Sequence, residues 1–158
     1  MKSYAGIGSR ETPASILSIM ELYASVLFTK HYYLLRSGGA SGADSAFEKG
    51  CDSVGGSKEI YRARDATADA IELASEFHPA WGLCNKFAQA LHGRNMMIVL
   101  GADLKTSVDF IVCWTPDGKI SGGTGQALRL AIARGIKVYN LFEQADMEEF
   151  NQKYMFLH

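Results

Sequence analysis

Five short apolar runs, each followed by a turn-forming stretch and then by a segment with helical spacing, constrain this chain more than any other feature. The runs are 3–7, 32–35, 59–61, 108–114 and 136–142. The fourth, Val108 to Trp114, is continuous and rich in β-branched residues, the signature of a strand covered on both faces. Strand alternating with helix calls for a parallel sheet with helices on both sides and right-handed crossovers. The expected fold is therefore α/β, a Rossmann-like doubly wound, mainly parallel sheet of about five strands. With 158 residues and no linker, repeat or low-complexity stretch, one domain over residues 1–158 is expected.

The helical segments follow from spacing and breakers. Ile16, Ile19, Met20, Tyr23, Val26 and Leu27 share one face of a first helix. Thr12 is expected to cap it, with Pro13 at its first position. A short helix over 43–50 is expected to stop near Gly50. Thr67 to Phe77 reads as helical, and His78-Pro79 breaks it. Helical spacing resumes over 80–91, the stretch 92–95 reads as a turn, and 96–100 fits either helix or strand. A helix over 126–134 precedes the last strand, and the polar tail 143–158 carries a weak helical pattern at 147–156.

Ligands of such sheets bind where the strands end, near a switch in strand order. Two glycine loops fall there: Arg36 to Asp44, containing Ser37, Gly38, Gly39, Ala40 and Ser41, and Ile120 to Gln126, containing Gly122, Gly123 and Thr124. Glycine permits positive φ and lets a ligand reach the backbone, while a helix N-terminus presents N–H groups to an anion. Gly8, Ser9 and Arg10 follow the first strand, and Arg10 offers a planar fork to phosphate. Neither glycine loop is a Walker A sequence or a GxGxxG fingerprint, so a nicotinamide redox enzyme is not supported. Arg62, Arg64 and Asp65 follow the third strand and share that edge. Trp114 suits packing better than base stacking, and Trp81 suits the core.

Other features exclude rather than assign. A net charge of −1 argues against nonspecific coating of nucleic acid. Cys51, Cys84 and Cys113 have neither zinc nor disulfide spacing and read as buried, reduced thiols. No histidine has a second histidine or a carboxylate at ligand spacing, so no metal site and no cofactor are expected. No apolar run approaches the ~20 residues that span a bilayer, so a cytoplasmic protein without a membrane partner is expected.

In order along the chain, Tyr4 to Arg10, Ser37 to Asp44 with Ala46, Arg94-Asn95, Gly122 to Thr124 and Arg134 to Val138 resemble the SLOG superfamily of Rossmann-like nucleotide-binding proteins, and within it the DprA/Smf-like branch. The resemblance implies a phosphate-containing nucleotide or nucleotide-derived ligand, ADP-ribose-like, held by Gly8, Ser9, Arg10, the two loops and Asn95. It also implies homo-oligomers, and for DprA proteins single-stranded DNA as partner. Ser41 stands where that branch has a basic residue. The sister LOG phosphoribohydrolases cleave the base from nucleoside monophosphates with an Arg and a Glu. Arg94 matches the Arg, Leu128 stands at the Glu position, and Asp44 is the remaining candidate carboxylate for N-glycosidic hydrolysis. Three functions follow in order: a nucleotide-binding module for sensing or sequestering, a nucleotide N-glycosidase with Asp44 and Arg94 as catalytic residues, and a single-stranded DNA binder.

Overall fold

The computed structural model describes residues 1–156; the last two residues of the polar tail lie outside them. Five strands, β1 (Ser3–Gly6), β2 (Leu34–Ser37), β3 (Lys58–Ile60), β4 (Phe110–Cys113) and β5 (Lys137–Asn140), form one sheet in the order β3-β2-β1-β4-β5. Every pairing is parallel. Six helices connect and flank them: α1 (Ala14–Thr29), α2 (Ala43–Asp52), α3 (Ala68–Phe77), α4 (Lys86–Leu100), α5 (Gly122–Ala133) and α6 (Gln144–Phe150). The α/β, doubly wound, parallel architecture expected from the sequence is the one observed.

The period-two alternation of the strands sorts the core into two clusters. Tyr4, Leu35, Phe110, Val112 and Tyr139 point to one face. There they meet Met20, Tyr23 and Leu27 of α1, Phe47 of α2, Phe150 of α6 and Tyr154 of the wide π turn Asn151–Met155. Ala5, Ile111 and Cys113 point to the other, against α3, α4 and α5. The order of the strands reverses direction of growth at β1, whose neighbours are β2 and β4. Loops after β1 and β4 therefore diverge from one crevice, and the ladder continues into them through Ile7 N–H to Val112 O (3.1 Å) and Ser9 N–H to Trp114 O (3.1 Å).

Several local expectations change. Pro13, not Thr12, is the cap residue of α1, because its carbonyl accepts the first helical N–H groups, from Ile16 and Leu17. The Thr12 hydroxyl instead donates to Ser9 O at 2.6 Å. β2 begins two residues later than its apolar run, since Tyr32 takes a left-handed φ of 61°. Gly50 does not end α2; it lies within it, and a Cβ there would collide with the backbone carbonyl of Glu21 on α1. The 92–95 segment is no turn, and 96–100 is no strand: both belong to α4. Gly93, which suggested a break, is the buried point where α4 crosses α3, with space for a Cβ only 2.7 Å from Ile71 Cγ1. In both cases the missing Cβ serves helix–helix approach, which a one-dimensional reading takes for a stop signal.

No helix among the described residues is long and apolar enough to cross a membrane.

Gly50→Ala is expected to push α1 and α2 apart and cost about 1–3 kcal/mol, read as a lower denaturant midpoint. Gly82→Ala, where nothing lies within 4 Å of the new Cβ, should stay within about 0.5 kcal/mol of the parent. Equal stability of the two variants would refute the close crossing.

Candidate functional site

A cavity of about 510 Å³ opens at the carboxyl ends of β1 and β4. Its floor and rim come from four places: Ile7 to Glu11 after β1, Ala40 and Asp44 around the start of α2, Thr115 and Pro116 after β4, and Ser121 to Thr124 at the start of α5. The remaining wall is one face of α4, with Ala88, Leu91, His92 and Asn95 at helical spacing and Arg94 beside them.

The two glycine loops differ in state. In the first, Asp44 is buried in the opening turn of α2 and accepts from the Ala40 N–H at 3.3 Å. The N–H groups of Gly8 and Gly38 also stabilise its charge. The α2 N-terminus has no side-chain cap, and the Asp44 carboxylate in its first turn supplies the negative charge that such a terminus favours. Burial pushes the Asp44 carboxyl up to about 6, against the opposing pull of the Arg94 guanidinium and these N–H groups. Arg94 is lowered by the same burial, with Asp44 acting in the opposite sense.

Arg94 is a structural clamp. Its Nη1 donates to Gly38 O at 2.7 Å and Tyr61 O at 2.9 Å, and its Nε donates to Asn95 Oδ1 at 2.9 Å. Nη2 has no hydrogen-bond partner among the described residues. Asn95 passes the link on by donating from Nδ2 to Gly123 O at 3.1 Å. One α4 dipeptide therefore ties the loops after β2 and β3 to the start of α5. Gly38 is required where it is, since a Cβ would lie 2.5 Å from Arg94 Nη1 and 2.8 Å from Asp44 Oδ2.

The second loop is open. Gly122, Gly123 and Thr124 are not a loop before the helix but its first turn. Ser121 at the cap position makes no side-chain capping bond, so the first N–H groups of α5, in a turn that lines the cavity, have no side-chain partner there. Gly122 holds φ at 66°, and a Cβ at Gly122 or Gly123 would meet nothing within 4 Å. Arg10 is exposed on the rim and makes no ion pair among the described residues, even with adjacent Glu11. Ser9 Oγ accepts from the Glu11 N–H at 3.0 Å, which fixes the turn carrying Arg10.

Of the residues expected at the site, Gly8, Ser9, Arg10, Ala40, Asp44, Arg94, Asn95, Gly122, Gly123 and Thr124 line the cavity. Ser37, Gly38, Gly39 and Ser41 do not. Ser37 is fully buried and donates to Gly6 O at 2.6 Å, so it braces β2 against β1. Gly39 sits under the Arg62 guanidinium, which reaches its carbonyl at 3.4 Å. Trp114 packs on Phe142 rather than facing the cavity. Leu128 is buried in the core beneath α5, so that helix brings no carboxylate to the site. Sequence reasoning named Asn95 but missed Thr115 and the rest of the α4 face that Asn95 belongs to, Ala88, Leu91 and His92. That face was legible as i, i+3, i+4, i+7 spacing once α4 is continuous through Gly93. Thr115 has no sequence signal; its hydroxyl is held by Asn140 Nδ2 at 2.7 Å, across the β4–β5 ladder.

No protein-family model and no curated protein matches this chain. Among solved structures it is similar to DNA processing protein A (DprA) from Streptococcus pneumoniae, at 15% identity and a TM-score of 0.48. The alignment covers 99% of this chain and 62% of that one, so the chain spans under two thirds of that protein's length.

The raised Asp44 pKa has a stability consequence with a definite sign. A carboxyl that binds its proton more tightly when folded stabilises fully below its unfolded value near 3.8, and that contribution fades as pH rises through about 6. Asp44→Asn should therefore gain on the parent as pH rises from 4 to 7, by on the order of 2–3 kcal/mol. Denaturant titrations of both proteins across that range measure the difference. A difference that stays constant with pH would show that Asp44 is not held in this state.

Proposed function

We propose that the protein binds a phosphate-containing nucleotide or nucleotide-derived molecule, ADP-ribose-like, as a sensing or sequestering module. The observation that carries this reading is the start of α5. Its orphan N–H groups lack a cap, the two glycines there have space that nothing in the protein uses, and Arg10 stands unpaired on the same rim. An anion at that point satisfies the helix terminus and meets a guanidinium. A cavity of about 510 Å³ is within the range of small-molecule sites, about 300–1,000 Å³. The apolar faces of Ile7, Ala88 and Leu91 leave room for a base or ribose beyond the phosphates.

A second reading has its own observation. Asp44 lines the cavity with a carboxyl that burial pushes up to about 6, nearer neutrality than an ordinary carboxyl and in the direction a general acid requires. In N-glycosidic cleavage it would give that proton to the departing base while water takes the anomeric carbon. Binding ranks first because Asp44 is already committed to the backbone N–H groups of its own loop. The DprA resemblance supplies single-stranded DNA as the competing ligand; a net charge of −1 weighs against it.

The decisive experiment is calorimetry with ADP-ribose and a panel of nucleotides, followed by mass spectrometry of the recovered ligand. Saturable binding with intact ligand is the expected result. Release of free base that Asp44→Asn abolishes would favour the hydrolase. No binding to the panel, together with oligonucleotide affinity that falls steeply with salt, would replace the reading with the DNA one.

Gly123→Val is expected to weaken nucleotide binding at least tenfold with no loss of thermal stability, because the side chain enters space that only a ligand uses. Arg10→Gln should weaken it about tenfold and flatten its salt dependence. Unchanged affinity in both variants would remove the phosphate from the α5 terminus.

A further inference from the structure

The break at His78-Pro79 and the middle of α4 bring together three side chains that the sequence holds six and eight residues apart. His78, Cys84 and His92 each place one donor atom within 4.8 Å of the others. His78 Nε2 lies 3.7 Å from Cys84 Sγ, close to the edge of about 3.6 Å that a tetrahedral zinc site with Zn–S near 2.3 Å and Zn–N near 2.05 Å demands. The third vertex must draw in by up to about 1.5 Å. His92 Nδ1 is buried and has no hydrogen-bond partner, so the fold leaves a ring nitrogen unsatisfied beside a thiol and a second imidazole. The rings of His78 and His92 sit 4.6 Å apart, with Trp81 against both.

We propose that His78, Cys84 and His92 form a binding site for a first-row divalent cation of the zinc class. Two imidazoles and one thiolate are donors of the borderline softness that zinc and cobalt prefer over calcium or magnesium. Three protein ligands leave a fourth position for water. His92 also lines the cavity at the strand ends, so the ion would pin that wall to the segment between α3 and α4. Binding releases the Cys84 thiol proton. His78 Nδ1 accepts the Ala80 N–H at 3.0 Å, which keeps the ring proton on Nε2. Coordination through Nε2 therefore moves that proton to Nδ1 and turns the Ala80 N–H away. The segment that must adjust is Ala80 and the 3₁₀ turn Trp81–Leu83, in which Gly82 and Leu83 are exposed. Arg94 and Arg129 near His92 oppose a cation there, and the thiolate charge offsets them. This site stands or falls independently of the nucleotide reading.

The test is titration of the reduced protein with Co²⁺. The expected result is one equivalent bound, with the intense visible bands of a tetrahedral ion and a thiolate-to-cobalt charge-transfer band. Cys84→Ser should abolish the charge-transfer band although Cys51 and Cys113 remain, and His78→Gln or His92→Gln should lower affinity at least tenfold. A second measurement needs no variant: Zn²⁺ should protect Cys84 of the parent protein from alkylation, located by peptide mass spectrometry. A charge-transfer band that survives Cys84→Ser, or Cys84 alkylated at the same rate with and without Zn²⁺, would overturn the proposal.

Discussion

Arg94 is partly withdrawn from water to hold two backbone carbonyls, those of Gly38 and Tyr61, and the strand-end edge is arranged around that clamp. Partial burial disfavours its charge, and the bonds from Nε and Nη1 to Asn95 Oδ1, Gly38 O and Tyr61 O offset that cost. Three of its consequences are visible. Gly38 must lack a side chain, Asp44 must supply a nearby opposite charge, and Asn95 must accept from Nε. Because Asn95 then reaches Gly123 O, the geometry of the second loop is inherited from the first. Loss of the clamp would uncouple the loops after β2 and β3 from α5 without touching the sheet itself.

The sheet was legible because its signals are local and redundant. Continuous apolar runs, period-two alternation and the strand–turn–helix rhythm all point to the same parallel architecture. Two of the boundaries that went astray, those at Gly50 and Gly93, did so for one physical reason. Gly50 and Gly93 are glycines of helix crossings, chosen for what lies across from them, Glu21 and Ile71, and not for what their own chain does next. Reading Gly93 as punctuation hid the continuity of α4 and, with it, the cavity face at 88, 91, 92 and 95. The grouping of His78, Cys84 and His92 was hidden too. Their spacing matches no ligand pattern, and only the chain reversal between α3 and α4 makes them neighbours.

The two glycine loops look alike in sequence and are opposite in electrostatic state. Each follows a strand, opens a helix and uses positive φ at a glycine, Gly39 and Gly42 in one and Gly122 in the other. The difference is one carboxylate. Asp44 sits in the first turn of α2 and neutralises that terminus from within, whereas the first turn of α5 contains no acidic residue and no capping side chain. A helix N-terminus favours negative charge whatever its source. The first loop already has its anion, and its glycines serve the packing of Arg94, Arg62 and the Ser9–Arg10 backbone, each within 3 Å of where a Cβ would stand. At Gly122 the positive φ calls for glycine, but at neither Gly122 nor Gly123 does a packing neighbour, since their missing side chains border open space. The asymmetry assigns the loops different duties. One is an internal brace that sets the shape of the cavity, and the other is the place where a bound anion would do what Asp44 does for its neighbour.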